Sequence, residues 1–256
     1  MINVTTQRRP TTGRDTMLIT GGSGKLGSAL RAVFPQALSP EREQLELQND
    51  DSVYNYMQTN EPAVIVHAAA MTDVRLAQHQ HATCWEINVR GTERLVDNLL
   101  RVCDNPFFVY VSTACVFDGQ RGNYNEDDVP DPKNYYAMTK LVGEYIAKRV
   151  PRHLIIRTNF VSRDPWPYPR AFIDRFGSYL FADDVAHEIG KYVRANQTGL
   201  VHVAGDQRMS MYALARLTSP DVGQMTMDEV DIPLTVDMTL TSIRVPTIAI
   251  GSAVRS

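Results

Sequence analysis

The stretch Met17-Leu18-Ile19-Thr20-Gly21-Gly22-Ser23-Gly24-Lys25-Leu26-Gly27-Ser28-Ala29-Leu30 limits the possible folds more than any other part of the chain. A short apolar run reads as a strand, glycines at GxxGxxG spacing follow at once, and a helical pattern begins before the last of them. Glycines at such a junction permit a tight turn, close backbone approach to a pyrophosphate and close contact of helix and sheet. The helix start adds unpaired amides and the positive end of its dipole. In this context Gly21, Ser23, Gly24, Lys25, Leu26 and Gly27 are candidates for binding a dinucleotide cofactor, with a purely structural turn as the competing reading.

Strands and helices then alternate. Short strands are expected at Gln36 to Leu38 and Leu45 to Leu47, a helix over Asp50 to Asn60, and a buried strand Ala63 to His67 running into Ala68-Ala69-Ala70. Small residues there suit a ribose or nicotinamide close over the backbone, and tight core packing would explain them equally well. A long helical region, Ala77 to Val102, carries Asn88; the strand Phe107 to Val111 ends in Ser112-Thr113. A helix from Tyr136 to Arg149, a strand His153 to Arg157 ending in Thr158-Asn159-Phe160, a helix Asp183 to Ala195 with an aspartate cap and a last strand Leu200 to Val203 complete the pattern. This implies an α/β fold: a Rossmann-like, doubly wound parallel sheet with helices on both faces and a small C-terminal substrate lobe. The candidate groups follow the carboxyl ends of strands, the edge where open α/β sheets bind ligands. The expected layout is a flexible leader over 1–16, an NAD(P)-binding domain over 17–205 with a substrate-loop insertion at about 161–180, and the lobe over 206–256.

Tyr136 and Lys140 stand four apart on a helix, so phenol and ammonium share a face one turn apart. A fixed positive charge beside a tyrosine favours phenolate and lowers a pKa that is ordinarily near ~10, which makes the pair a candidate acid and its tuner. Tyr135 lies on another face. About 20 residues after the glycine turn an acidic residue would hold a ribose hydroxyl of NAD, whereas an arginine suits the 2′-phosphate of NADP. Arg42 inclines the reading to NADP(H); Glu41 beside it leaves NAD(H) open. Trp166 lies among Pro165, Pro167 and Pro169, which forbid a regular element and suggest a wall or lid.

A net charge of −3 over 256 residues offers no basic excess for nucleic acid, and no apolar run approaches the ~18 residues of a membrane span. The expectation is a cytoplasmic protein. Three cysteines lack metal-ligand spacing, and His79 and His81 have no companion ligands, so no metal is expected.

The chain resembles the extended short-chain dehydrogenase/reductase superfamily, and within it the dTDP-4-dehydrorhamnose reductase-like group. The likeness rests on Thr20-Gly21-xx-Gly24-xx-Gly27, His67 to Val74, Asn88-Val89-Arg90-Gly91-Thr92, Ser112 to Gly119, Tyr136-xxx-Lys140 with Gly143-Glu144, and Arg157-Thr158. The resemblance implies an NAD(P)H-dependent reductase of a nucleotide-linked 4-keto-6-deoxy sugar. Tyr136 would give the carbonyl its proton, Thr113 would hydrogen-bond the same oxygen, and Lys140 would lower the tyrosine pKa and hold the nicotinamide ribose. It also implies a substrate surface drawn from Thr72, Thr113, Cys115, Asn159, Phe160 and Trp166, and a homodimer. Where such reductases usually carry Asp-Tyr after the threonine, this chain has Ala114-Cys115, which leaves the sugar open. An NAD-dependent sugar-nucleotide epimerase using the same three residues is the alternative enzyme. A non-catalytic NADP-binding regulatory subunit is the alternative of another class, since relatives of the group include a regulatory subunit of methionine adenosyltransferase.

Overall fold

The computed structural model describes residues 16–252; residues 1–15 of the expected leader lie outside the described residues. In chain order the elements are β1 Met17–Thr20, α1 Lys25–Val33, α2 Asp50–Asn60, β2 Val64–His67, α3 Val74–His79, α4 His81–Trp85, α5 Gly91–Val102, β3 Phe107–Thr113, α6 Tyr135–Ala147 and β4 Arg152–Thr158. They continue with β5 Phe160–Val161, β6 Arg170–Phe172, β7 Phe176–Gly177, β8 Leu180–Phe181, α7 Ala182–Arg194, β9 Gly199–Val203, β10 Met209–Ser210, α8 Met211–Ala215, β11 Gly223–Met225 and β12 Asp237–Met238.

The main sheet is parallel, in the order β1-β2-β3-β4-β9. Its register places Ile19 beside Val66, Val66 beside Val109 and Val109 beside Leu154. These side chains share one face, packed on Leu26 and Leu30 of α1 and on Val185 and Ile189 of α7. The alternate set, Leu18, Ile65, Phe108, Tyr110 and Ile155, packs on Val53 and Met57 of α2, Leu95 and Leu99 of α5 and Ile146 of α6. Burial on both faces explains why these strands read as continuous apolar runs.

On its other side β1 pairs, among the described residues, with Leu38 alone, through Ile19 N–H to Leu38 O and Leu38 N–H to Met17 O, both 2.8 Å. The chain thus touches one flank of β1 and then crosses to the other, so the carboxyl end of β1 is a switch point of the kind where such sheets bind ligands. The strand expected over Gln36 to Leu38 reduces to this bridge. The one expected over Leu45 to Leu47 is a turn, because Leu45 N–H bonds back to Glu41 O at 3.1 Å.

Three further local expectations need correction. The long helix over Ala77 to Val102 is broken at Gln80 (φ −117°, ψ 59°), which takes the chain out of helical geometry, and widens to a π turn at Glu86–Arg90. Ser112 and Thr113 belong to β3 itself, paired with Arg157 and Thr158. The aspartate that caps α7 is Asp184, which accepts the Phe181 amide at 3.0 Å, while Asp183 is ion-paired with Arg163 at 2.7 Å.

Beyond β4 the insertion at 161–180 and the stretch after 206 build small sheets together: β6 pairs with β11, and β7 lies between β10 and β12. The chain then returns to the main body through the bridges Tyr124 to Leu240 and Gly205 to Ile248.

Candidate active site

The turn after β1 is held against the segment after β2. Gly21 has φ +73°, and a Cβ there would lie 2.7 Å from the Ala69 nitrogen, so a side chain is excluded both by conformation and by space. A Cβ at Gly27 would overlap the Gly21 carbonyl oxygen, which is how closely α1 approaches the turn. Gly24 opens α1 without a side-chain cap, leaving first-turn amides for an anion. The turn borders a cleft of about 690 Å³, lined by Gly21 to Gly27, Ala68 to Ala70, Thr72, Arg42 and Phe160, all but Gly22 anticipated site residues. Pro40, Gln48, Met71 and Ile87 line it as well. Ser39 Oγ is buried without a hydrogen-bond partner at the place a Gly22 side chain would occupy. Shape and free amides together fit a dinucleotide.

The other candidates lie behind this surface. Thr113, Tyr136 and Lys140 are 6%, 9% and 3% exposed, and none of the three lines the cleft. Asn134 caps α6 by accepting the Ala137 amide at 2.9 Å, and the helix places the Tyr136 phenol near the Thr113 hydroxyl. Lys140 rests its ammonium on the face of Tyr110, 4.1 Å from the ring centroid. Met71 lines the cleft and packs against the buried cluster of Ala77, Cys84 and Tyr136 behind it.

Burial governs the titration of this group. It lowers Lys140 to about 7, against the opposing pull of the Glu144 carboxylate. It raises Tyr136 well above the ordinary tyrosine value; the nearby Cys115 adds to the rise and the Thr113 hydroxyl opposes it. The expected lowering of Tyr136 by Lys140 is therefore overridden in the free protein. Desolvation is the larger effect, and a lysine with a pKa of about 7 carries only part of its charge at neutral pH. His67, clamped between Thr20 Oγ1 at 2.6 Å and Thr92 Oγ1 at 2.9 Å, is lowered to about 3 by burial and then by Lys140, and stays neutral.

Two supports hold these pieces in place. Asn88, inside the π turn, accepts the Met71 amide at 2.8 Å and donates to Met71 O at 3.1 Å and Thr139 Oγ1 at 3.0 Å, tying the cleft wall to α6. One turn beyond Lys140, Glu144 accepts the Arg157 fork at 2.9 and 2.7 Å and the Ser112 hydroxyl at 2.5 Å. Neither Asn88 nor Met71 stood among the anticipated site residues. The run Asn88-Val89-Arg90-Gly91-Thr92, part of what carries the family resemblance, was the available signal for the first.

The remaining substrate candidates lie away from the cleft, in or beside the small lobe. Cys115 Sγ meets Met238 Sδ at 3.2 Å, and Asn159 Nδ2 donates to Met238 O at 3.2 Å. Trp166 donates its indole N–H to Arg170 O at 3.2 Å and stands edge-on to Tyr168, which accounts for its position by packing within the lobe. Among the described residues no cluster of His, Cys, Asp or Glu could hold a metal ion, and no helix is long and apolar enough to cross a membrane.

Comparison with known proteins adds to this geometry. The family model described as RmlD substrate binding domain matches residues 15–176. A dTDP-4-dehydrorhamnose reductase of Aggregatibacter actinomycetemcomitans is 28% identical over 229 residues, 78% of this chain and 76% of that protein. Methionine adenosyltransferase 2 subunit beta of Rattus norvegicus is 32% identical over 139 residues, 50% of this chain and 41% of that protein. The crystal structure of a dTDP-4-dehydrorhamnose reductase from Bacillus anthracis in complex with NADP shares the fold, with a TM-score of 0.81 at 22% identity over 90% of this chain and 91% of that one.

Proposed function

The chain belongs to the RmlD substrate binding domain family, and from that premise we propose that it is an NAD(P)H-dependent reductase of a nucleotide-linked 4-keto-6-deoxy sugar, with Tyr136 as proton donor. The observation that carries the reading is the pairing of a dinucleotide-shaped cleft with the buried neighbours Thr113 and Tyr136, Tyr136 belonging to a cluster against which the cleft residue Met71 packs.

A bound reduced nicotinamide supplies the hydride. What the protein supplies is position and a proton. Gly21 to Gly27 and the free amides of α1 receive the pyrophosphate. Arg42, on the cleft lining and bonded to Gln48 Oε1 at 2.7 Å with no carboxylate partner among the described residues, supports NADP over NAD; Glu41 beside it is not on that lining. Tyr136, its pKa raised, is fully protonated at neutral pH, the state a proton donor must hold until negative charge develops on a carbonyl oxygen. Thr113 offers the same oxygen a second hydroxyl. Lys140, on the same helix face, is the group to hold a ribose hydroxyl and to restore positive charge beside the phenol as the reaction demands it.

The reading is tested by following loss of reduced-nicotinamide absorbance with NADPH or NADH and a panel of nucleotide-linked 4-keto-6-deoxy sugars. Turnover is expected, preferentially with NADPH, and Tyr136→Phe should lower kcat by about 10²- to 10⁴-fold with cofactor binding kept.

Two observations favour a second reading. The phenol is buried and the Cys115 thiol is engaged by Met238, as would suit a regulatory subunit like the rat relative. In that case no member of the panel consumes cofactor, and Tyr136→Phe changes nothing.

A further inference from the structure

Lys140 is buried against the main sheet, and among the described residues no carboxylate forms an ion pair with it. Glu144, one turn on, is already taken: it accepts the Arg157 fork at 2.9 and 2.7 Å and the Ser112 hydroxyl at 2.5 Å. What receives the ammonium is the face of Tyr110, with 4.1 Å between Nζ and the ring centroid. Tyr110 is fully buried in the middle of β3 and donates its hydroxyl to the Lys140 carbonyl oxygen at 3.4 Å. The one side chain thus meets Lys140 at both ends, backbone and ammonium. Its room comes from Gly143, where a Cβ would lie 2.0 Å from the Tyr110 hydroxyl oxygen, so a side chain at 143 would displace the ring.

An aromatic face attracts a cation and has no such pull on a neutral amine, so in a layer withdrawn from water it favours the charged form. Desolvation acts the other way and brings Lys140 to about 7. The other ionisable groups around the ammonium are His67 from β2, Cys84 from α4, and Tyr136 and Glu144 on α6 itself, with Arg157 of β4 behind Glu144. Burial keeps His67, Cys84 and Tyr136 uncharged near neutral pH, and the Glu144 carboxylate is matched by Arg157. The ring face is the contact that both places the ammonium and sustains its charge.

We propose that Tyr110 is a positioning residue for the reaction, its ring face seating the ammonium of Lys140 and keeping it charged. The effect on turnover rests on the reductase reading above; the seat itself does not, and the test separates the two. Nuclear magnetic resonance of the full chain with carbon-13-labelled lysine reads the Lys140 titration, its signal identified among five lysines by its absence from Lys140→Met. In the wild type the ring should shield the Lys140 ε-methylene protons, moving them upfield of the other lysines; a position among the others overturns the proposal. Tyr110→Leu should lower the titration midpoint by about one pH unit, the scale of a desolvated cation–π contact, whereas Tyr110→Phe keeps the face and holds the midpoint. An unmoved or raised midpoint in Tyr110→Leu, or an equal fall in Tyr110→Phe, overturns it. Should Tyr110→Leu lose the fold, seen as lost NADPH binding, Tyr110→Met takes its place with the same fall expected. In the reductase assay at pH 7, Tyr110→Leu should lower kcat about fivefold, as the charged fraction of Lys140 does when a midpoint of about 7 falls by one pH unit. The alkaline limb of the pH profile should move down equally, and Tyr110→Phe should restore most of the loss. A loss equal at every pH is that of a merely structural residue and overturns the proposal. A wild type that turns over no member of the panel overturns the reductase reading, and the lysine titration still decides the role of Tyr110.

Discussion

Lys140 is buried to 3% with a pKa brought down to about 7, from which a stability effect follows. Between pH 7 and the ordinary lysine range, the unfolded chain holds a proton here that the folded chain has released, so this residue makes stability rise with pH across that window. Below pH 7 both states are protonated and the cost of the buried charge is complete. Lys140→Met should therefore stabilise most at pH 7 and below, with the gain vanishing above about pH 10, as denaturant titrations across pH would show; a gain independent of pH would mean that the ammonium is solvated. His67, lowered to about 3, acts in the acid range: its neutral form favours the fold above the ordinary histidine pKa, and that contribution is lost as the pH falls from about 6.5 toward 3. At Gly21, alanine would have to adopt φ +73° with its Cβ 2.7 Å from the Ala69 nitrogen. Gly21→Ala should cost about 1 to 3 kcal/mol of stability and weaken NADPH binding at least tenfold, read by thermal melts and fluorescence titration.

Among the elements, α6 shows how one helix serves both fold and site. Its inner face carries Tyr136 and Lys140, and one turn on Glu144, whose buried pairing with Arg157 ties α6 to β4. Removing one partner leaves the other charge unmatched, so Glu144→Ala should destabilise by about 3 to 5 kcal/mol, while the double change Glu144→Leu, Arg157→Met should cost much less. Equal losses in the single and double variants would show that packing, and not charge, sets the cost. The spacing of Tyr136 and Lys140 made this face legible in the sequence, as the glycine turn made the start of α1 legible. What periodicity hides is where a helix stops being regular. The π turn at Glu86–Arg90 aims Asn88 at both Met71 and Thr139, and nothing in a 3.6-residue pattern marks such a widening. Burial was equally hidden, since Tyr136 was expected to feel Lys140 first and instead feels its own desolvation.

Over the whole molecule, the cleft at the switch point joins the two flanks of β1 through the turn and the Ala68–Ala70 segment, so cofactor binding should stabilise the fold generally. NADPH at 100 times its Kd should add about 2.7 kcal/mol, seen as a concentration-dependent rise in Tm; a Tm indifferent to NADPH and NADH would contradict the assignment of the cleft. The order of alternating strands and helices was readable because each strand is buried on both faces. The small lobe was not, because its two- and three-residue strands carry no period and pair only with chain far away in sequence, β6 with β11 and β7 with β10 and β12. That interleaving bears on how specificity can be transplanted. A chimera that takes a relative's chain from Gly205 onward would set foreign β11 and β12 against native β6 and β7, and Met238 against a Cys115 it was never matched to. Grafting a new sugar preference onto this scaffold thus requires exchanging two separate stretches of chain together, and recombination within this family should tolerate a crossover near Gly205 only between parents whose 160–181 segments are already compatible.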